Sequence, residues 1–186
     1  PPFPDPPLFP HTDPLLNLPK VWEATMDNGM KVYGIEHNEL PLVQFNLVIK
    51  GGHYLEKLDK SGTASMMASL MMEGTANKTP QELEEAIEKL GANISIRSSN
   101  NDIVISANTL TRNYDAVLAL VEEILLEPRW DQDEFELAKT ALLNSLIRQK
   151  ADPNSLARQS FNTLIYGAEH IFSVSSEGTD ETVSAL

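Results

Sequence analysis

Helices packed on an antiparallel sheet, an α+β fold, is the architecture this 186-residue sequence predicts. Two observations lead to it. Apolar runs with strand character stand beside the turn signals Asp27-Asn28-Gly29 and Asn100-Asn101. Capped helical segments are grouped between these runs, giving the order ββααββααα.

The elements follow in chain order. Residues 1–20 hold eight of the twelve prolines and no periodicity, so they read as an extended arm or linker. After Asp27-Asn28-Gly29, Met30, Val32, Gly34 and Ile35 continue as a strand. Leu42–Ile49 is a second apolar strand closed by Gly51-Gly52, and the two are expected to form a hairpin around Asn38–Pro41. Residues 62–73 carry four methionines and apolar side chains on all sides, the pattern of a buried helix. Thr79-Pro80-Gln81-Glu82 is a capping box with proline at the first helical position, and Gly91 closes that helix after Leu90. Asn93–Ser99 and Asp102–Asn108 alternate β-branched residues around Asn100-Asn101 and predict an antiparallel pair. Helical spacing over Asn113–Leu126 stops before Pro128. Asp131 with Glu134 caps a long helix to about Lys150, and Asp152-Pro153 opens another to about Tyr166.

Composition narrows the function. A hydrophobic content of 41% without a long apolar run indicates a soluble globular chain with no membrane span. A net charge of −13 disfavours nucleic acid and anionic lipid as partners, both of which require a cationic surface. The absence of cysteine excludes disulfides, a thiolate metal site and a cysteine nucleophile. No signal peptide is visible, and a start at Pro1-Pro2-Phe3 is what a mature or trimmed terminus would be expected to show.

Gly62-Thr63-Ala64-Ser65-Met66-Met67-Ala68-Ser69 through Glu73-Gly74-Thr75 resembles the first active-site helix of the pitrilysin/insulinase family of zinc peptidases, which reads roughly G-x-A-H-x-x-E-H-x-x-x-x-G-T. Gly62, Ala64, Gly74 and Thr75 match the scaffold positions of that motif. Ser65 and Ser69 stand where the two histidine ligands belong, and Ala68 stands at the general base. The resemblance extends from about Thr25 to Leu186 through Asp27-Asn28-Gly29-Met30-Lys31-Val32, the run 79–92, Leu125-Leu126 with Pro128, and Tyr166-Gly167 with His170. Aligned on Asp152-Pro153, the family's third ligand, a glutamate on the long helix, falls at Ser145, or at Asn144 if the register slips by one. The resemblance therefore implies a partial domain over 21–186, truncated at its C-terminal end.

Zinc takes Cys, His, Asp or Glu, and neutral serines are poor ligands because they keep their protons. Metal-assisted hydrolysis also needs a base for the bound water, which Ala68 cannot be. No catalytic or metal-binding residue is therefore assigned to this chain, and no cofactor; zinc is expected only in a partner domain or subunit. Ser65 and Ser69 read as helix serines bonded back to the preceding turn, and the methionines as core filler. His11, His37, His53 and His170 do not pair at ligand spacing on one element. Glu84, Glu85 and Glu88 read as a solvated helix face. Asn77-Lys78-Thr79 and Asn93-Ile94-Ser95 match a glycosylation pattern short enough to arise by chance.

What the resemblance implies is a non-catalytic domain or subunit of a zinc metallopeptidase assembly. It would contribute chamber wall, dimerisation and peptide binding beside a catalytically competent homologue. The alternatives are an active metalloendopeptidase with a relocated site and a purely structural homologue. By resemblance to exported bacterial members, the expected location is the periplasm or cell envelope.

Overall fold

The structure, a computed structural model, describes residues 18–37 and 39–186. The arm expected over 1–20 lies outside them except for Leu18–Lys20, which form no regular element. The chain divides into two compact units, Pro1–Leu40 and Pro41–Leu186.

In the first unit, β1 (Val21–Thr25) and β2 (Lys31–Ile35) form an antiparallel hairpin. The Asp27-Asn28-Gly29 signal marks its turn: Gly29 has φ 84°, and the Asn28 side chain accepts the Met30 amide at 3.0 Å. Trp22 faces Gly34 across the strands, and its indole occupies the space a Cβ on Gly34 would need. The expected hairpin around Asn38–Pro41 is not formed. β3 (Leu42–Lys50) belongs to a different sheet, and β1, for which the sequence raised no expectation, takes its place beside β2.

That second sheet has the order β3-β5-β4, with β4 at Asn93–Ser98 and β5 at Asp102–Leu110. The pair expected around Asn100-Asn101 is therefore present, and β3 lies along the other edge of β5, from Leu42 opposite Leu110 to Lys50 opposite Asp102. Register aligns apolar rows on one face, Phe45–Ala107–Ile94 and Leu47–Ile105–Ile96. The other face carries Asn46–Ser106–Ser95 and Gln44–Asn108–Asn93, as a sheet covered on one side requires.

Among the described residues the helices are α1 (Thr63–Leu70), α2 (Pro80–Lys89), α3 (Tyr114–Leu126), α4 (Gln132–Lys150), α5 (Pro153–Tyr166) and α6 (Asp180–Ser184), and the first three cover the apolar face. The caps fall where the sequence puts them. Thr79 and Glu82 complete a reciprocal capping box on α2, Asp131 accepts the Asp133 and Glu134 amides, and Asp152 accepts those of Asn154 and Ser155. Short α6 is a helix for which the sequence raised no expectation.

Helix α1 joins two cores. Ala68 and Met71 pack with Leu83 of α2, Ile94, Ile96 and Ile105 of the sheet, and Val117 and Ile124 of α3. Met66 and Leu70 turn the other way, onto Leu146 of α4 and Val183 of α6. Met67 and Met72 lie against the first core, so all four methionines fill apolar space. The helix is shorter than the expected 62–73 and is not buried all round: Ser69 is exposed and Ser65 half-buried.

Candidate functional site

The motif region separates into residues the fold uses and residues it does not. Gly62 begins α1 at φ 97°, and a Cβ there would lie 2.8 Å from the Glu177 carbonyl oxygen, so only glycine fits. Ala64 is buried. Gly74 ends the segment at φ 103°, with its Cβ position 2.7 Å from the Lys78 carbonyl oxygen. Thr75 is fully buried and donates its hydroxyl to Glu123 at 2.6 Å, while Lys78 donates to the other Glu123 oxygen at 2.6 Å. Each scaffold position thus has a structural task independent of metal.

The remaining positions have only modest local tasks. Ser69 donates its hydroxyl to the Ser65 carbonyl at 3.2 Å, the back-bonding expected of a helix serine. Ala68, 3% exposed, is core. Ser145 lies half-buried on α4 and accepts from Gln149 at 3.5 Å; Gln149 in turn donates to Glu177 at 2.6 Å. The structure therefore packs the helix of Ser65 and Ser69 against the helix of Ser145 through the core of Met66, Leu70 and Leu146. No hydrogen bond among the described residues links Ser145 to Ser65 or Ser69. Three neutral hydroxyls and a methyl group do not suit zinc. Among the described residues, no group of three or more His, Asp or Glu side chains is placed to hold a metal ion.

Sequence reasoning missed one buried polar cluster, His53 with Glu56. Glu56 accepts the amides of Gly62 and Ala64, capping the start of α1, and His53 Nδ1 lies 2.8 Å from its Oε2. Only the three-residue spacing of two ionisable groups beside the motif could have signalled it. His37 lies exposed near Glu39, and His170 accepts the Phe172 amide on Nδ1. His11 lies outside the described residues.

Residues 33–172 match the sequence profile of Insulinase (Peptidase family M16). The chain belongs to this family. Among curated relatives, the "Non-peptidase homolog YmxG" of Helicobacter pylori is 23% identical over 151 residues, covering 81% of this chain and 35% of that protein. The "Probable mitochondrial-processing peptidase subunit beta" of Arabidopsis thaliana is 23% identical over 140 residues, covering 75% of this chain and 26% of that protein. The solved structure of a "peptidase M16 inactive domain" from Pseudomonas fluorescens superposes with a TM-score of 0.84 at 24% identity, covering 89% of this chain and 40% of that one. This chain thus spans roughly a quarter to two-fifths of the relatives it matches. The superposition bears out the α+β fold as that of an M16 domain.

The Glu123 cluster gives the M16 scaffold a testable electrostatic signature. Hydrogen bonds from Lys78 and then Thr75 hold the Glu123 carboxyl below its usual value of 4.5, against the opposing effect of burial. A lowered folded value means the stabilisation is complete above pH 4.5 and is lost as pH falls through that lowered value. Glu123→Ala should cost about 1–3 kcal/mol at pH 7, because it strands the buried Thr75 hydroxyl. Urea unfolding at pH 7 and pH 3 checks this: the deficit should shrink at pH 3, and an equal deficit at both would show the carboxylate charge to be irrelevant.

Proposed function

We propose that this chain is a non-catalytic M16 domain that works beside a homologous, metal-bearing one. The observation that carries the reading is the division within the motif. Gly62, Ala64, Gly74 and Thr75 perform the structural tasks of the scaffold, while Ser65, Ala68, Ser69 and Ser145 occupy the positions that resemblance assigns to ligands and base. With no base at Ala68 and no carboxylate or imidazole at the others, the chain has nothing with which to bind or activate a metal-bound water there.

Its contribution is then to chamber wall, pairing and peptide contact. Pairing is supported by α5, which has no buried residue yet exposes Leu156, Phe161, Leu164 and Ile165. Peptide contact is supported by the uncovered sheet face of Gln44, Asn46, Asn93, Ser95, Ser106 and Asn108, a row of neutral donors and acceptors suited to backbone amides. The proposal extends to the periplasm or envelope as the place of assembly. Recovery of the chain wholly with cytoplasmic marker enzymes on cell fractionation overturns that part.

Purified protein should contain no stoichiometric zinc and cleave no peptide alone, and should co-purify from its source with an H-x-x-E-H homologue. Elemental analysis and a peptidase assay with and without chelator test the first half. About one zinc per chain, lost on chelation together with activity, refutes the reading.

A further inference from the structure

The ring of His53 is 2% exposed and faces only acceptors. Nδ1 meets the Glu56 carboxylate at 2.8 Å, and Nε2 meets the carbonyl oxygens of both Ile171 and Val174 at 3.0 Å. A neutral imidazole carries one N–H and one lone pair, so either tautomer would point a lone pair at an acceptor here. The doubly protonated ring alone satisfies every contact. Glu56 completes the chain of bonds into the α1 N-terminus through the Gly62 and Ala64 amides. One imidazolium thus ties the segment after α5 to the helix start, across 118 and 121 residues of sequence.

The geometry points to a pH-dependent clasp: His53 and Glu56 fix the 171–174 turn while the imidazole is charged, and release it when the ring loses its proton. The turn forms part of the wall of a cleft of about 440 Å³ between α4, α5 and residues 172–180, so release loosens that wall. Tyr54 and Tyr166 both pack on Phe172 of this segment, at centroid distances of 4.0 and 5.1 Å.

The charges around the ring fix the direction of the switch. Glu56 is the charged group bonded to it. The turn segment contributes His170, and the cleft wall that includes His53 carries Tyr166 and Arg158 of α5, while Lys150 along the cleft is paired with Asp180. The N-terminal end of α1 brings no titratable side chain. Burial works against the cation, but the Glu56 hydrogen bond and charge and the two carbonyls outweigh it and raise His53 above its usual 6.5. Burial also opposes the Glu56 anion, which its bonds from His53, Ala64 and Gly62 hold below 4.5. A raised histidine value means the clasp is complete below pH 6.5 and is lost as pH rises through the folded value. The lowered glutamate value sets the acid limit, where the clasp fails as pH falls through it.

Imidazole NMR and amide hydrogen exchange on the full chain, from pH 5.5 to 9, test the clasp. The His53 ring should titrate above pH 6.5 with both ring protons present at pH 6. Protection of amides in 171–178, corrected for intrinsic exchange, should fall at least tenfold through the same transition, while β5 amides stay unchanged. His53→Gln should show the low protection at every pH. A neutral His53 ring at pH 6, or flat protection of 171–178 across its titration, overturns the clasp; both measurements use the unmodified chain and need no variant to fold.

Discussion

Replacing Ser65→His, Ala68→Glu and Ser69→His should produce a protein that binds zinc weakly and is markedly less stable. The triple variant restores two ligands and a base, whereas a catalytic zinc site takes three protein ligands and a water. Its stability falls chiefly at residue 68. Ala68 is packed within a core that includes Leu83, Ile94, Ile105 and Val117, and an unpaired carboxylate placed there costs on the order of 3–5 kcal/mol. Histidine at exposed position 69 costs little, and at half-buried 65 somewhat more. Adding Ser145→Glu supplies a third ligand from α4, which is already packed against α1 through Leu146, Met66 and Leu70. It gives up only a long 3.5 Å bond from Gln149. The quadruple variant should bind zinc at least about a hundredfold more tightly than the triple, and zinc should return part of the lost stability by mass action. Titration calorimetry and thermal unfolding with and without zinc read both effects. Equal affinity with and without Ser145→Glu would show that the long helix is aligned wrongly; no binding by either would remove the argument for a vestigial metal site.

What the sequence made legible was local. Asp131, Asp152 and the Thr79–Glu82 box set their helix starts because the capping bonds span only two or three residues. The Asn100-Asn101 turn placed β4 beside β5 for the same reason. The partner of β3 was not legible: an apolar strand carries its face but not the identity of its neighbour, and β3 pairs with β5 some sixty residues later in preference to β2 just before it. β1 was hidden because Val21–Thr25 follows a proline-rich run and has no buried side of its own. At the candidate site, the substitutions in the motif could be read directly. The His53–Glu56 pair could not, since the carbonyls that demand a charged ring come from Ile171 and Val174.

The second large effect is expected on α5. Every residue of this helix is exposed or half-buried, with Leu164 84%, Phe161 62% and Ile165 60% accessible. A helix whose polar and apolar residues alike face solvent gains little from its apolar side chains in the isolated chain. Removing them should therefore hardly alter unfolding, within about 0.5 kcal/mol per site for exposed substitutions. Glutamine keeps the helical preference while replacing the apolar surface, so Phe161→Gln with Leu164→Gln isolates the contact role from the helix itself. If this face meets the metal-bearing homologue, the pair occupies the centre of an interface. Loss of two large anchors there costs about 2 kcal/mol or more each, on the order of a thousandfold in affinity for the two together. The double variant should unfold like the original chain yet fail to co-purify with the H-x-x-E-H protein, and the peptidase activity of the mixture should fall with the fraction assembled. Undiminished affinity for that partner would show that pairing uses another surface. Weakened affinity accompanied by an equal loss of stability in the isolated chain would show instead that Phe161 and Leu164 serve this fold.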